Sequence, residues 1–267
     1  MYVRAKKALG QHFLKDQKIA RRIVDALQIP ESNIAGDTNV IEVGPGTGVL
    51  TQFLVNDPRI NLVLAEIDSE SVEFLKIHYP NLGETLIEGD FLKMDLAKIF
   101  TGDFMVIGNF PYNISSQIFF KVLEYRERVP QVVGMLQKEV AERLASPPGN
   151  KSYGILSVLL QAWYDIEYLF TVDENSFTPP PKVKSAVIRI KRNLRTSLGC
   201  DEVLFKSVIK TTFNQRRKTI RNSIKPIAGG VILPDDILMT KRPEQLSVEQ
   251  FVELTNLLES CLRQPLT

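Results

Sequence analysis

The sequence predicts an α/β fold: a doubly wound, mostly parallel, Rossmann-like sheet with a closing antiparallel strand, plus a small helical domain at the C-terminus. Three observations carry this. Short apolar runs alternate with helical patterns across the first two thirds of the chain, which is the rhythm of parallel strands joined by crossover helices. A glycine-rich turn, Gly44-Pro45-Gly46-Thr47-Gly48, follows one of the apolar runs. After about Arg192 the strand patterns give way to amphipathic helices.

Taken in order, Gln17–Gln28 places Ile19, Ile23, Val24 and Leu27 at helical spacing and stops before Pro30. Asn39–Val43 reads as a strand and Gly48–Val55 as a helix. Leu62–Glu66 is a second strand, with a helix near Glu70–Tyr79. Thr85–Glu88 and Phe104–Gly108 are the third and fourth, the latter followed by helix Ser115–Tyr125. Gln131–Gln137 is a fifth strand, Lys138–Ala145 and Tyr153–Trp163 are helical, and Ile166–Val172 with Ser185–Lys191 forms a closing antiparallel pair. Val203–Phe213 and Val248–Leu262 are amphipathic, with a basic stretch, Arg216–Lys225, between them. A boundary at 192–200 yields two domains, 1–192 and 193–267.

Composition permits several classes and excludes a few. The 267 residues carry 24% charge, 44% hydrophobic residues and a net charge of only +2, ordinary for a globular protein. The distribution says more: residues 1–30 hold seven Lys/Arg against two acids, residues 191–267 hold thirteen against eight, and the centre is net −8. Basic ends around an acidic middle suit contact with phosphates. Cys200 and Cys261 form no CxxC, and with His12 and His78 the only histidines a zinc site is not expected. No run of about 18 apolar residues offers a membrane span, and the N-terminus lacks a signal-peptide core. A chain in a reducing cytoplasm, without a metal, is the expectation.

The candidate chemistry lies at strand ends. Gly44, Gly46 and Gly48 let the backbone turn tightly and approach a ligand. Glu66 ends the second strand 22 residues after Gly44, where a carboxylate can accept ribose hydroxyls. Asp90 follows the third strand, where it can read an adenine amino group. Asn109-Phe110-Pro111-Tyr112 follows the fourth, 65 residues after Gly44. An amide oxygen and a backbone carbonyl there accept from an exocyclic amine, Pro fixes the turn, and an aromatic face stacks on a ring. A nicotinamide dinucleotide has no use for such a loop. S-adenosylmethionine does, and the pattern points to methyl transfer onto a nucleobase nitrogen.

These motifs, with Gly10-Gln11-His12-Phe13-Leu14, Glu66-Ile67-Asp68, Leu136-Gln137-Lys138-Glu139, Phe177-Thr178-Pro179-Pro180-Pro181-Lys182-Val183 and Phe213–Asn222, resemble the ribosomal RNA adenine N6,N6-dimethyltransferase family, in its bacterial small-subunit branch. The resemblance covers nearly the whole chain. It implies that His12 and Leu14 border the methionine end of S-adenosylmethionine, that Gly44 and Gly46 face its backbone, and that Glu66, Asp90 and Asn109 hold ribose, adenine and the region of the transferring methyl. Asn109, Phe110, Pro111 and Tyr112 are expected around the target base, with Tyr112 on one face, while Phe177 either closes the other face or belongs to the core. The family often carries Asn at position 12 and Leu at position 110, where this chain has His12 and Phe110.

The implied substrate is a pair of adjacent adenosines in a hairpin near the 3′ end of 16S rRNA in a pre-30S particle. The oligomeric state stays open in the sequence, a monomer being the expectation because no sustained apolar interface stripe is present. Phosphate contacts are expected from Arg4, Lys6, Lys7, Arg21 and Arg22, and from Arg216, Arg217, Lys218, Arg221 and Lys225. Two rivals stand beside this: a large-subunit 23S rRNA adenine dimethyltransferase, and a ribosome-assembly checkpoint binder in which catalysis is secondary. Methylation of a small molecule would leave the basic C-terminal region without a purpose.

Overall fold

The structure, a computed structural model, describes residues 3–31 and 35–263. Its elements are β1 (Phe13–Leu14), α1 (Gln17–Asp25), β2 (Thr38–Val43), α2 (Thr51–Leu54), β3 (Ile60–Glu66), α3 (Ser69–His78), β4 (Leu86–Glu88), α4 (Leu96–Ile99), β5 (Phe104–Asn109) and α5 (Ser115–Glu124). There follow β6 (Gln131–Gln137), α6 (Lys138–Ala145), α7 (Ile155–Gln161), β7 (Tyr164–Val172), β8 (Phe177–Thr178), β9 (Ser185–Arg192), α8 (Glu202–Asn214), α9 (Ile220–Ser223), α10 (Lys225–Ala228) and α11 (Val248–Leu262).

Seven strands form one sheet in the order β4-β3-β2-β5-β6-β9-β7. From β4 to β6 the neighbours run parallel, and β9 closes antiparallel on β6 with Gln131 opposite Lys191 and Gln137 opposite Ser185. The parallel strands are apolar on both faces, as helix-covered strands must be: Val40, Ile41 and Val43 in β2, Leu64 and Ala65 in β3, Val106 and Ile107 in β5, and Val132, Val133, Met135 and Leu136 in β6 are all buried. The chain reverses its winding at β2, which lies between β3 and β5. A crevice opens at the C-terminal ends of the strands at such a point.

Contacts divide the chain into two compact units, Met1–Ala141 with Asp165–Arg192, and Glu142–Tyr164 with Asn193–Thr267. The second unit thus takes in a stretch that the expected 1–192 domain contained. The reason is packing. All five residues from Leu156 to Leu160 in α7 are buried, and only the end residues Ile155 and Gln161 are partly exposed. Tyr153 lies 6.2 Å from the Phe213 ring, Phe213 stacks on Phe251 at 6.0 Å, and Gly149 N–H donates to the Glu244 carbonyl at 2.6 Å. Asp201 caps α8 by accepting from Leu204 N at 2.7 Å, and Ser247 and Gln250 form a reciprocal capping box at α11.

Two further departures concern the site. The expected helix Gly48–Val55 is confined to α2, Thr51–Leu54, because residues 46–50 form turns; the glycine turn does not lead straight into a helix N-terminus. A second, two-stranded sheet joins β1 to β8, with Phe13 opposite Thr178 and Leu14 opposite Phe177. Two residues per strand are too few to show a period, so sequence patterning carries no sign of it.

Candidate active site

A cavity of about 310 Å³ lies at the C-terminal ends of β2 to β5 in the first unit. On one side it is bounded by Gly44, Gly46, Glu66, Ile67, Asp90, Phe91 and Leu92. Glu66 is buried, and both its oxygens are held by main chain: Oε2 accepts from Gly46 N and Oε1 from Asp68 N, each at 2.9 Å. Burial pushes its carboxyl above the usual range, and these N–H groups pull part of the way back. Each oxygen retains a lone pair for a ligand hydroxyl. Gly46 takes φ +58, and a Cβ there would lie 2.8 Å from the Phe13 ring, so only glycine brings the turn this close. Asp90 Oδ1 accepts from Leu92 N at 3.0 Å, while Oδ2 has only a loose pairing with Lys93 at 3.7 Å and stays open to an amine.

Beneath the turn, Glu42 is buried and accepts from the Thr51 hydroxyl at 2.7 Å. Burial raises its carboxyl to about 8, Thr51 opposes this, and the neighbouring Glu66 adds to it.

The other side of the cavity is the loop after β5: Asn109, Phe110, Pro111 and Tyr112 all line it. Asn109 Nδ2 donates to the His12 carbonyl at 2.9 Å, leaving Oδ1 as that side chain's acceptor. Phe110 turns its ring into the core, 5.8 Å edge-on to Phe119, and its N–H donates to the Met135 carbonyl at 2.9 Å. The ring fits because Gly134 faces it: a Cβ at 134 would lie 2.3 Å from Phe110 Cε2. The Tyr112 hydroxyl shares a 2.5 Å hydrogen bond with Ser185 Oγ, and its ring stacks on His12 at 5.3 Å. Burial raises the Tyr112 phenol above its ordinary value, the Ser185 contact opposing, so it stays neutral. His12 is itself fixed by Nδ1 to the Pro179 carbonyl at 2.8 Å.

The family model described as ribosomal RNA adenine dimethylase matches residues 2–260. The chain belongs to the ribosomal RNA adenine dimethylase family. It is 62% identical over 255 residues to a Parabacteroides distasonis protein named ribosomal RNA small subunit methyltransferase A, covering 95% of this chain and 93% of that one. A Bacteroides thetaiotaomicron protein of the same name is 60% identical over 264 residues, covering 98% and 96%. The fold is shared with a dimethyladenosine transferase from Plasmodium falciparum, at TM-score 0.75 and 24% identity over 93% of this chain and 98% of that one. It is shared also with the 23S rRNA methyltransferase ErmE, at TM-score 0.63 and 24% identity over 91% and 99%.

Dimethylases of this family use S-adenosylmethionine, and the residues present fit it. A buried carboxylate with a free lone pair on each oxygen suits vicinal hydroxyls, Asp90 Oδ2 suits an amine, and Ile67, Phe91 and Leu92 supply apolar walls for a ring. Among the described residues, no group of His, Cys, Asp or Glu is arranged to hold a metal ion, and no helix is long and apolar enough to cross a membrane.

Of the residues singled out in the sequence, His12, Gly44, Gly46, Glu66, Asp90 and Asn109 to Tyr112 converge on this cavity. Leu14 and Phe177 do not. They face each other across the β1–β8 pair, are 3% and 1% exposed, and belong to the hydrophobic core. The expected second aromatic face on the base is therefore not Phe177 in this conformation. Three residues given no role in the sequence support the site: Gln11, a member of the Gly10–Leu14 motif, lines the cavity, Asp68 of the Glu66–Asp68 motif holds Glu66, and Ser185, outside every motif, holds Tyr112.

The basic residues divide unevenly. Lys6 pairs with Asp68, Arg21 with Asp25 at 2.9 Å, and the Arg22 guanidinium sits 3.7 Å over the Phe170 ring. In the second unit Arg216 lies 3.7 Å from Glu244, and Arg221 bonds the Pro234 carbonyl at 2.9 Å and Asp235 at 3.1 Å, while Arg217 and Lys218 are exposed.

Proposed function

We propose that this protein transfers methyl groups from S-adenosylmethionine to N6 of two adjacent adenosines in the hairpin near the 3′ end of small-subunit rRNA. It acts as a cytoplasmic monomer on a pre-30S particle, gives N6,N6-dimethyladenosines and serves small-subunit biogenesis. The observation that carries this is the placement of Asn109, oriented by a main-chain carbonyl, in one cavity with Glu66 and Asp90. The names of the relatives at about 60% identity favour the small subunit over the large.

The adenine amino lone pair is delocalised into its ring and is a weak nucleophile. Asn109 Oδ1 and the Phe110 carbonyl accept its two hydrogens and favour a pyramidal nitrogen whose lone pair points out of the ring plane. When bound, S-adenosylmethionine supplies an electrophilic methyl on a sulfonium. The nitrogen becomes acidic as it is alkylated, so water suffices to take the proton. Positioning and fixed dipoles then carry the rate. Tyr112 stacks on the base with the ring face that His12 leaves open. The target must leave its stack to enter, as loop adenosines do readily. Arg216, Arg217, Lys218 and Arg221 meet phosphates; Arg217 and Lys218 are the exposed pair, Lys218 donating to the neutral Gln215 amide, whereas Arg216 and Arg221 lie beside carboxylates.

The test is transfer of labelled methyl to small-subunit particles lacking the modification, followed by nucleoside analysis. N6,N6-dimethyladenosine at up to four methyls per particle is expected. Transfer to naked 23S RNA instead would assign the chain to large-subunit chemistry, and binding without transfer would leave an assembly checkpoint. Particle affinity should fall steeply with salt, and Arg217→Ala or Lys218→Ala should each flatten that slope by about one.

A further inference from the structure

Lys6 belongs to the basic N-terminal stretch expected to meet phosphate, yet its ammonium, on a side chain 37% exposed, is paired with carboxylates of the molecule itself. It forms an ion pair with Asp68 and lies 3.1 Å from Glu70. The Asp68 side chain is 1% exposed and also accepts from Ser71 Oγ at 2.9 Å and from Gln11 Nε2 at 3.4 Å. Gln11 completes the ring from its other end, because its Oε1 accepts from the Lys6 main-chain N–H at 2.8 Å. Leu9 N and Gln11 N both donate to the Lys6 carbonyl, at 3.0 and 3.4 Å. Residues 6–11 are therefore a closed loop fastened at both ends to one buried carboxylate.

That loop is a wall of the cavity. Leu9, Gly10, Gln11, His12 and Phe13 all line it. It also touches both halves of the site. The main-chain N–H of Asp68 holds Glu66, and the His12 carbonyl holds Asn109. Burial alone would push the Asp68 carboxyl up, but Lys6, Ser71 and Gln11 together hold it below the usual range.

We infer that Lys6 and Asp68 are positioning residues: a latch that keeps the 6–13 segment closed over the cofactor half of the cavity and keeps the His12 carbonyl on Asn109. The inference rests on reading the cavity as the S-adenosylmethionine site. It follows from the burial of Asp68. Without Lys6 the buried carboxylate loses its counter-charge, and the loop keeps only the Gln11 bond to it. If the loop is then closed about a tenth of the time, apparent cofactor affinity falls about tenfold, since affinity scales with the competent fraction. Lys6 on this account makes no phosphate contact.

The experiment uses the full chain with Lys6→Met, Lys6→Arg and Asp68→Asn. Calorimetry measures the Kd for S-adenosylmethionine, hydrogen exchange without cofactor follows the Leu9 and Gln11 amides, and binding to small-subunit particles is titrated across salt. Lys6→Met and Asp68→Asn should each weaken cofactor binding about tenfold and speed exchange of those amides. Lys6→Arg should restore both, and the salt slope should not change. Unchanged cofactor affinity with a salt slope reduced by about one would overturn the latch and return Lys6 to phosphate binding. A lower Tm with unchanged Kd and unchanged exchange would overturn it too, leaving a structural brace. If the wild type itself binds no S-adenosylmethionine, the functional reading fails, and the exchange rates alone decide whether the latch exists.

Discussion

The two halves of the cavity are built differently. The carboxylate half is assembled locally: Glu66 takes its N–H groups from Gly46 and Asp68, at separations of 20 and 2 residues. The half after β5 depends on distant chain. Asn109 reaches His12 across 97 residues, Tyr112 reaches Ser185 across 73, and His12 reaches Pro179 across 167. The Glu66 anchors form between neighbouring strand ends of the sheet. The longer-range anchors make the second half contingent on the whole first unit being folded, which couples transfer geometry to the N-terminal segment and to the residues around β8.

That contrast can be broken at either side. The largest effect belongs to Asn109→Ala, which removes an acceptor that matters as the nitrogen pyramidalises. A loss of about 10²- to 10³-fold in kcat is expected, with cofactor Kd within a few-fold of wild type; near-normal turnover would remove Asn109 from the chemistry. Next is Glu66→Gln. Both oxygens accept from N–H groups, and an amide offers only one oxygen, so a donor would confront a donor. Cofactor Kd should rise roughly ten- to a hundredfold, matching about 1.5–3 kcal/mol for hydrogen bonds to a charged group.

Gly134→Ala probes the half after β5 from below. A Cβ 2.3 Å from the Phe110 ring must displace it, at a cost of about 1–3 kcal/mol. Thermal unfolding should show a lower Tm, and adding Phe110→Leu should recover most of it. An unchanged Tm would mean that the ring shifts freely. The last test is a pH slope. Glu42 has a folded-state value of about 8 against 4.5 unfolded, so its contribution to stability is fully present below about pH 4.5 and is lost as pH rises toward 8. Glu42→Gln should flatten the Tm–pH curve over that window and raise Tm at pH 8; parallel curves would show that Glu42 does not titrate there.

The same division explains what the sequence could reveal. Strand alternation, the glycine turn, Glu66 and Asp90 are local signals, and β6 and α11 begin and end where the patterns predict. Lys6, Ser185 and the β1–β8 pair act only through long-range contacts, which no local pattern encodes. Phe177 shows the limit most plainly: its motif left open a base-stacking face or a core position, and only the pairing beside Leu14 decides for the core. The Glu142–Tyr164 stretch joins the second unit for a related reason, because five apolar residues among the seven of α7 show that it is buried without showing against what.

The central claim is that one half of the cavity holds the cofactor and the other aims the amine. The direct measurement is cofactor Kd together with single-turnover methyl transfer at saturating cofactor, made side by side on Glu66→Gln and Asn109→Ala. The account predicts opposite signatures: weakened binding with a near-normal rate for the first, near-normal binding with a collapsed rate for the second. The same signature in both variants would contradict it.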